Sequence, residues 1–308
     1  MESEKKEIFP AEGTEQGKKS PGQVISFVAA KGGVGKTIFA ANAAYLLLKC
    51  GKSVIIIDTD FSTHGISLFM LGEISESGSL KIQKENSIAE SILEDIPVEN
   101  ISPFNIIRDS MEYKILFTNR YLQRVDPIED FQRFGSTIEM DEENIREKTI
   151  AYVKKYFDFM NQLCERLRHE YDYVIIDTRG GFDYLVGIPA IVADEYVVIV
   201  EADKISLEQI SALKKKIDRY ARRNKVQAKF GGFIINKAIH SVDDELFPTY
   251  LEKCYNTKVL GTIPLDPDVI EAYQKKRIPS LYFQDCDFSN YSIKALNNLA
   301  SPSKKWKS

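Results

Sequence analysis

The densest chemistry in the chain is Lys31-Gly-Gly-Val-Gly-Lys36-Thr37. Glycines at this spacing let the backbone fold around a phosphate with its N–H groups turned inward. A helix opening at Thr37 adds the positive end of its dipole at the same place. Lys36 can reach β- and γ-phosphates, and the Thr37 hydroxyl can ligate Mg²⁺. The phosphate-binding set is Gly32, Gly33, Val34, Gly35, Lys36, Thr37 and Ile38. Ala30 stands where a strict Walker A box begins with Gly, and Ile38 removes the third glycine of a dinucleotide fingerprint. Two acid-bearing segments accompany the loop: Asp58-Thr-Asp60 after an apolar run, and Ile175-Ile176-Asp177, an apolar run ending in a carboxylate. Carboxylates at strand ends lie beside a phosphate loop in this topology, and the acid that ends an apolar strand there can hold Mg²⁺. Asp58 also reads as a strand-end residue binding loop N–H groups.

The elements around these residues must put them together. Val24–Ala29 is an apolar run, Thr37–Lys49 carries Phe39, Ala43, Leu46 and Leu47 at helical spacing, and Gly51 closes that helix. Ser53–Ile57, Lys114–Thr118, Tyr173–Ile176, Tyr196–Val200, Gly231–Ile235 and Val259–Ile263 read as further strands. Ser87 and Glu90 read as a capping box opening a short helix before Pro97, and Glu142–His169 and Ser206–Tyr220 as amphipathic helices. The alternation predicts a doubly wound α/β fold, a mostly parallel sheet of about seven strands flanked by helices. Residues 1–21 read as a disordered tail, 22–300 as one domain with an insert around 121–141, and 301–308 as a flexible tail.

Composition narrows the function. Lys and Arg total 41 against 45 Asp and Glu, a net charge of −4, so any nucleic-acid contact must come from a local patch. Such a patch is offered by 214–229, where Lys214, Lys215, Lys216, Arg219, Arg222, Arg223, Lys225 and Lys229 face a lone acid, Asp218. It reads either as a DNA-backbone surface or as the solvated face of a helix. The apolar runs are too short to span a bilayer, and the N-terminus shows no signal core, so a cytoplasmic location is expected. Four cysteines and three histidines, dispersed and without a Cys-x-x-Cys, argue against a zinc or iron–sulfur centre.

The loop resembles the deviant Walker A box of the ParA/MinD family of P-loop ATPases, written K-G-G-x-G-K-[ST]. Further matches extend the resemblance over about Val24 to Pro279. It implies ATP and Mg²⁺ as cofactors and catalytic roles for Lys31, Lys36 and Asp60. Lys31 would be the signature lysine that reaches the partner subunit's nucleotide in an ATP-bound homodimer, and Asp60 would orient the attacking water. Thr37, Asp58 and Asp177 would surround the metal. Asn236, after Phe233-Ile-Ile, and Pro264, in Gly261-Thr-Ile-Pro264-Leu-Asp266, would contact adenine. The family often has Pro-Gln after the second aspartate and a proline after the Walker B acid; here stand Phe61-Ser62 and Arg179-Gly180-Gly181-Phe182. This second box resembles a branch of ParA-like ATPases, some of which occur beside genes of bacterial conflict or antiviral defence systems. Arg179 could touch a phosphate or pair with Asp183.

The C-terminus carries too few apolar residues for a MinD-like membrane helix, so no membrane partner is expected. The reading is a slow Mg-dependent ATPase whose dimerisation controls an unidentified partner protein or DNA. Two alternatives stand beside it: an ATP-bound scaffold that barely hydrolyses, and a biosynthetic ligase of the same superfamily, against which Lys31 argues. Lys36→Ala is expected to abolish ATP binding in titration calorimetry with Mg²⁺, because it removes the side chain that bridges the β- and γ-phosphates; unchanged affinity would contradict the phosphate-loop assignment.

Overall fold

Apolar runs form the strands, and the segments between them fold as helices over both faces of one sheet. The computed structural model describes residues 20–72, 81–122, 142–239, 246–283 and 286–299. The chain runs β1 (Gln23–Ala29), α1 (Lys36–Lys49), β2 (Val54–Asp58), α2 (Gly65–Leu71), α3 (Ile88–Leu93), β3 (Phe104–Arg108), β4 (Met111–Leu116), α4 (Glu142–Glu170), β5 (Tyr173–Gly180), α5 (Tyr184–Val192), β6 (Glu195–Glu201), α6 (Lys204–Asn224), β7 (Phe230–Ala238), α7 (Leu246–Tyr255), β8 (Val259–Pro264), α8 (Pro267–Gln274), α9 (Pro279–Tyr282) and α10 (Asp287–Leu299). Most of the expected tails, and residues 123–141 of the expected insert, lie outside the described residues.

The strands form an 8-stranded sheet in the order β3-β4-β2-β5-β1-β6-β7-β8. Pairing is parallel throughout except between β3 and β4. β1 lies between β5 and β6, so the chain leaves β1 toward β2 on one side and later crosses to β6 on the other. In such a sheet the ligand crevice opens at the carboxyl ends of the strands, where the winding reverses. Every residue of β1 is buried. Alternation along it feeds both faces: Ile25, Phe27 and Ala29 join a core with residues of α1 and α10, while Val24 packs with residues of α4 and Val28 with residues of α5 and α6. Phe39 stands edge-on to Phe27 at 5.3 Å and to Phe288 at 6.4 Å, so α1 is clamped between the sheet and α10.

The mostly parallel sheet is as expected, with one strand beyond the seven read from the sequence, while the expected capping box needs correction. β3 is an edge strand whose Ile107 is 77% exposed, and it joins β4 through Asp109 and Ser110, both left-handed at φ 53° and 63°. Positive φ at both central residues suits a two-residue hairpin, but Asp-Ser is a weak signal for it beside Asn-Gly. The Ser87–Glu90 capping box does not form. Ser87 stands at the N-cap of α3, but its hydroxyl donates to the Glu90 carboxylate. The N–H groups of Ile88 and Ala89 donate instead to the Phe117 and Thr118 carbonyls, so the chain leaving β4 does the capping.

At the amino ends of β2 and β5, Asp172 Oδ2 accepts from Ser53 N at 2.7 Å and from Ser53 Oγ at 2.8 Å. Asp172→Ala leaves that N–H without its carboxylate acceptor and is expected to cost about 1–3 kcal/mol. A urea midpoint lowered at unchanged m-value checks this, and nucleotide affinity should be unaffected because the pair sits at the opposite end of the sheet from the crevice.

Candidate nucleotide-binding site

The crevice holds a cavity of about 760 Å³, lined by Lys31 through Ile38, the 60–65 segment, Arg179 and Gly180, Asn236 and Lys237, and an apolar wall that includes Pro264, Leu265, Ile270, Tyr273 and Phe288. The loop at its floor depends on two glycine positions. Gly35 caps α1 with φ 88°, and a Cβ there would stand 2.2 Å from Asn236 Nδ2. Gly180, at the end of β5, lies so close to the start of the loop that its Cβ would meet the Lys31 carbonyl carbon at 2.5 Å. The Walker B turn is therefore seated directly on the phosphate loop.

At the first turn of α1, Lys36 Nζ lies 2.7 Å from Asp177 Oδ1, and Thr37 Oγ1 donates to Asp177 Oδ2 at 2.8 Å. Asp177 is fully buried and Lys36 nearly so. Burial raises the Asp177 carboxyl above its ordinary value, against the pull of the Lys36 ammonium. A hydroxyl and a carboxylate brought together beside a phosphate loop are the hard oxygen donors Mg²⁺ takes. Among the described residues no group of three or more His, Cys, Asp or Glu could hold a metal, so Mg²⁺ here would draw its remaining ligands from phosphate and water. The donor set fits Mg²⁺, with Thr37 and Asp177 as the protein's share.

The two aspartates after β2 part company. Asp60 lines the cavity, and its carboxylate accepts from Ser62 N and Thr63 N at 3.0 Å and from Thr63 Oγ1 at 2.6 Å. Asp58 is fully buried off the cavity wall and serves the amino end of α2, accepting from Ser67 Oγ at 2.5 Å and Ser67 N at 3.2 Å. It also accepts from Asp60 N at 2.8 Å. Burial pushes its carboxyl up to about 7, with the Asp177 charge adding to the effect. Asp58 thus makes the loop contacts that a strand-end aspartate can make, and the neighbouring Asp177 charge acts on its carboxyl.

Lys31 lies 2.7 Å from Glu201 Oε2 and 2.8 Å from Asp203 Oδ2. Hydrogen bonds to Asp203 and Glu201 hold its ammonium above the ordinary lysine value. Lys237 binds the other Glu201 oxygen at 2.9 Å and the Gly33 carbonyl at 2.5 Å. Burial of Glu201 opposes ionisation, but the Lys237 and Lys31 hydrogen bonds outweigh it and hold the carboxyl below its ordinary value. Sequence reasoning missed Glu201 and Asp203. Their signal was an acid pair at the end of β6, the strand beside β1. Asn236 is buried and donates from Nδ2 to the Val34 carbonyl at 2.8 Å, so it braces the loop as well as lining the cavity. Arg179 pairs with Asp183 at 3.2 Å and still lines the cavity.

Residues 22–230 match the family described as AAA domain. The chain is 24% identical over 269 residues to an uncharacterized ATP-binding protein of Methanocaldococcus jannaschii, covering 86% of this chain and 84% of that protein. It is 25% identical over 225 residues to the chromosome partitioning protein ParA of Myxococcus xanthus, covering 72% of this chain and 67% of that one. Its fold matches the septum site-determining protein MinD of Pyrococcus horikoshii, solved with Mg-ADP, at a TM-score of 0.63 and 18% identity, over 91% of this chain and 97% of the other. Loop, Walker B acid, sheet order and matched span agree: the chain belongs to the AAA domain family and is a ParA/MinD-like P-loop ATPase.

Proposed function

We propose that this chain is a Mg-dependent ATP switch: it binds ATP in the crevice, closes face to face with a second copy, and resets by slow hydrolysis. The observation that carries the reading is the meeting of Lys36, Thr37 and the buried Asp177 at the mouth of the phosphate loop. In the in-line attack of water on the γ-phosphate, positioning and charge neutralisation supply the catalysis. Lys36 neutralises phosphate charge, and Mg²⁺ on Thr37 and Asp177 would add to that neutralisation. Asp60, fixed by three hydrogen bonds from Ser62 and Thr63, holds a water by its carboxylate. Asn236 and Pro264 lie on the wall that the base would meet. Lys31 leaves Glu201 and Asp203 to reach the γ-phosphate of the facing copy.

The output is control of a partner protein or of DNA. Support for a DNA surface comes from α6, where Lys215, Lys216, Arg219, Arg222 and Arg223 are exposed on one helix. Binding through such a face would fall steeply with salt. No helix among the described residues is long and apolar enough to cross a membrane, which suits a switch acting in the cytoplasm.

Light scattering after size exclusion, with ATP and Mg²⁺ present, tests the switch. Asp60→Ala is expected to bind ATP and accumulate as a dimer, because it loses only the group that orients water. Lys31→Ala is expected to bind ATP as a monomer and to hydrolyse about 10³-fold more slowly, the scale at which a cation donated across an interface acts. If Lys31→Ala dimerises as well as Asp60→Ala, the face-to-face arrangement is wrong for this chain.

A further inference from the structure

Two cations on the cavity wall, Lys237 and Arg179, have no part in the mechanism above, and Lys237 is held by Glu201 and the Gly33 carbonyl. Arg179 follows the Walker B acid by two residues on β5. β5 carries one extra residue here against β1, since Phe27 stands opposite Asp177 and Ala29 opposite Gly180, and a bulge of this kind re-aims the side chains around it. Asp177 reaches Lys36 and Thr37. Arg179 is one step nearer the carboxyl end of the strand, where the crevice opens, and it lines the same cavity as Lys36 and Asp60. Its backbone is fixed: Gly180 is pressed against the start of the phosphate loop, and Gly181 N donates to the Ala29 carbonyl at 3.0 Å. Its side chain is a third exposed and held by two contacts. One guanidinium nitrogen donates to Ser62 Oγ at 3.2 Å, and the other pairs with Asp183 Oδ2 at 3.2 Å. Ser62 belongs to the segment that fixes Asp60, so the guanidinium is tied to the residue proposed to orient water and lines the same cavity as the phosphate loop.

The geometry points to Arg179 as an arginine acting within its own subunit on the γ-phosphate, a further catalytic residue for ATP hydrolysis. This rests on the reading of the cavity as an ATP site. As water oxygen bonds to γ-phosphorus and the bond to the β–γ bridging oxygen breaks, the electron pair passes to ADP and the water proton is lost to phosphate or solvent. Negative charge grows on the leaving and equatorial oxygens. A planar fork of N–H donors binds such oxygens in pairs, which a lysine ammonium does not do. The contacts that hold Arg179 are replaceable. A pair with Asp183 exposed to about a third on each side contributes little in water, and a phosphate offers the guanidinium a stronger, less solvated partner. Asp183 keeps a task of its own once the arginine leaves, since its side chain accepts from Leu185 N at 3.1 Å and caps α5.

The test compares affinities for Mg-ADP and for Mg-ADP with aluminium fluoride, which mimics the transferring phosphoryl group, beside steady-state hydrolysis and thermal melting. Arg179→Ala is expected to keep Mg-ADP affinity within about twofold while weakening the aluminium fluoride complex and slowing hydrolysis by about 10²-fold or more, the scale for losing one preorganised donor. Asp183→Asn and Ser62→Ala remove the two contacts that a merely structural strut would need, and both should leave the aluminium fluoride complex nearly intact. Equal affinity of Arg179→Ala and wild type for that complex would overturn the inference. So would losses in Asp183→Asn or Ser62→Ala that match Arg179→Ala, because Arg179 would then act only by holding loops. A wild type that binds neither ligand would overturn the ATP-site reading itself, and this inference with it.

Discussion

Everything at the crevice depends on one buried charge, the Asp177 carboxylate. A carboxylate removed from water is tolerated only with a charge partner and filled hydrogen bonds. Lys36 and Thr37 supply both, at 2.7 and 2.8 Å. That requirement fixes the relation of β5 to the first turn of α1, and so the relation of the Walker B acid to the phosphate loop. The close seat of Gly180 on the loop, the left-handed Gly35 and the Asn236 brace on Val34 all serve the same approach. The central position of β1, buried along its length between β5 and β6, gives these contacts a rigid base.

The cations around the loop share a pattern. Lys36 is paired with Asp177, Lys31 with Glu201 and Asp203, Lys237 with Glu201, and Arg179 with Asp183. An arriving polyphosphate therefore exchanges partners rather than meeting unpaired charge. On the proposed reading, Lys36 would trade a carboxylate for phosphate oxygens, and the carboxylate it leaves would need a new cation, which Mg²⁺ would supply. Nucleotide and metal would then be mutually dependent at the site. The pairs at Lys31, Lys237 and Arg179 are partly exposed and weaker, so they can open without disturbing the core.

Much of this was legible in the sequence, because glycine spacing and strand-end acids are local signals. The phosphate loop, the strand ending at Asp177, and the placing of Asp60 and Asn236 around one cavity follow from runs of a few residues read in their strand and helix context. What escaped depends on neighbours far along the chain. Glu201 and Asp203 matter only because β6 lies beside β1, which no local pattern states. The sequence left Asp58 between the metal shell and loop N–H groups, and its partner Ser67 comes into reach only when α2 folds back. The edge strand β3 escaped because an exposed strand lacks the continuous apolarity that marked its buried neighbours, and Ser87 lost its capping role to carbonyls supplied by the chain after β4.

The central claim is that Lys36 and Asp177 are held ready for a nucleotide and its metal. The most direct measurement is a crystal structure of the chain with a non-hydrolysable ATP analogue and Mg²⁺. The account predicts Lys36 Nζ on the β- and γ-phosphates, the metal bound by the Thr37 hydroxyl with Asp177 in its ligand shell, and the base against the wall formed by Asn236 and Pro264. A structure in which Lys36 stays paired with Asp177 while the analogue binds elsewhere would contradict it.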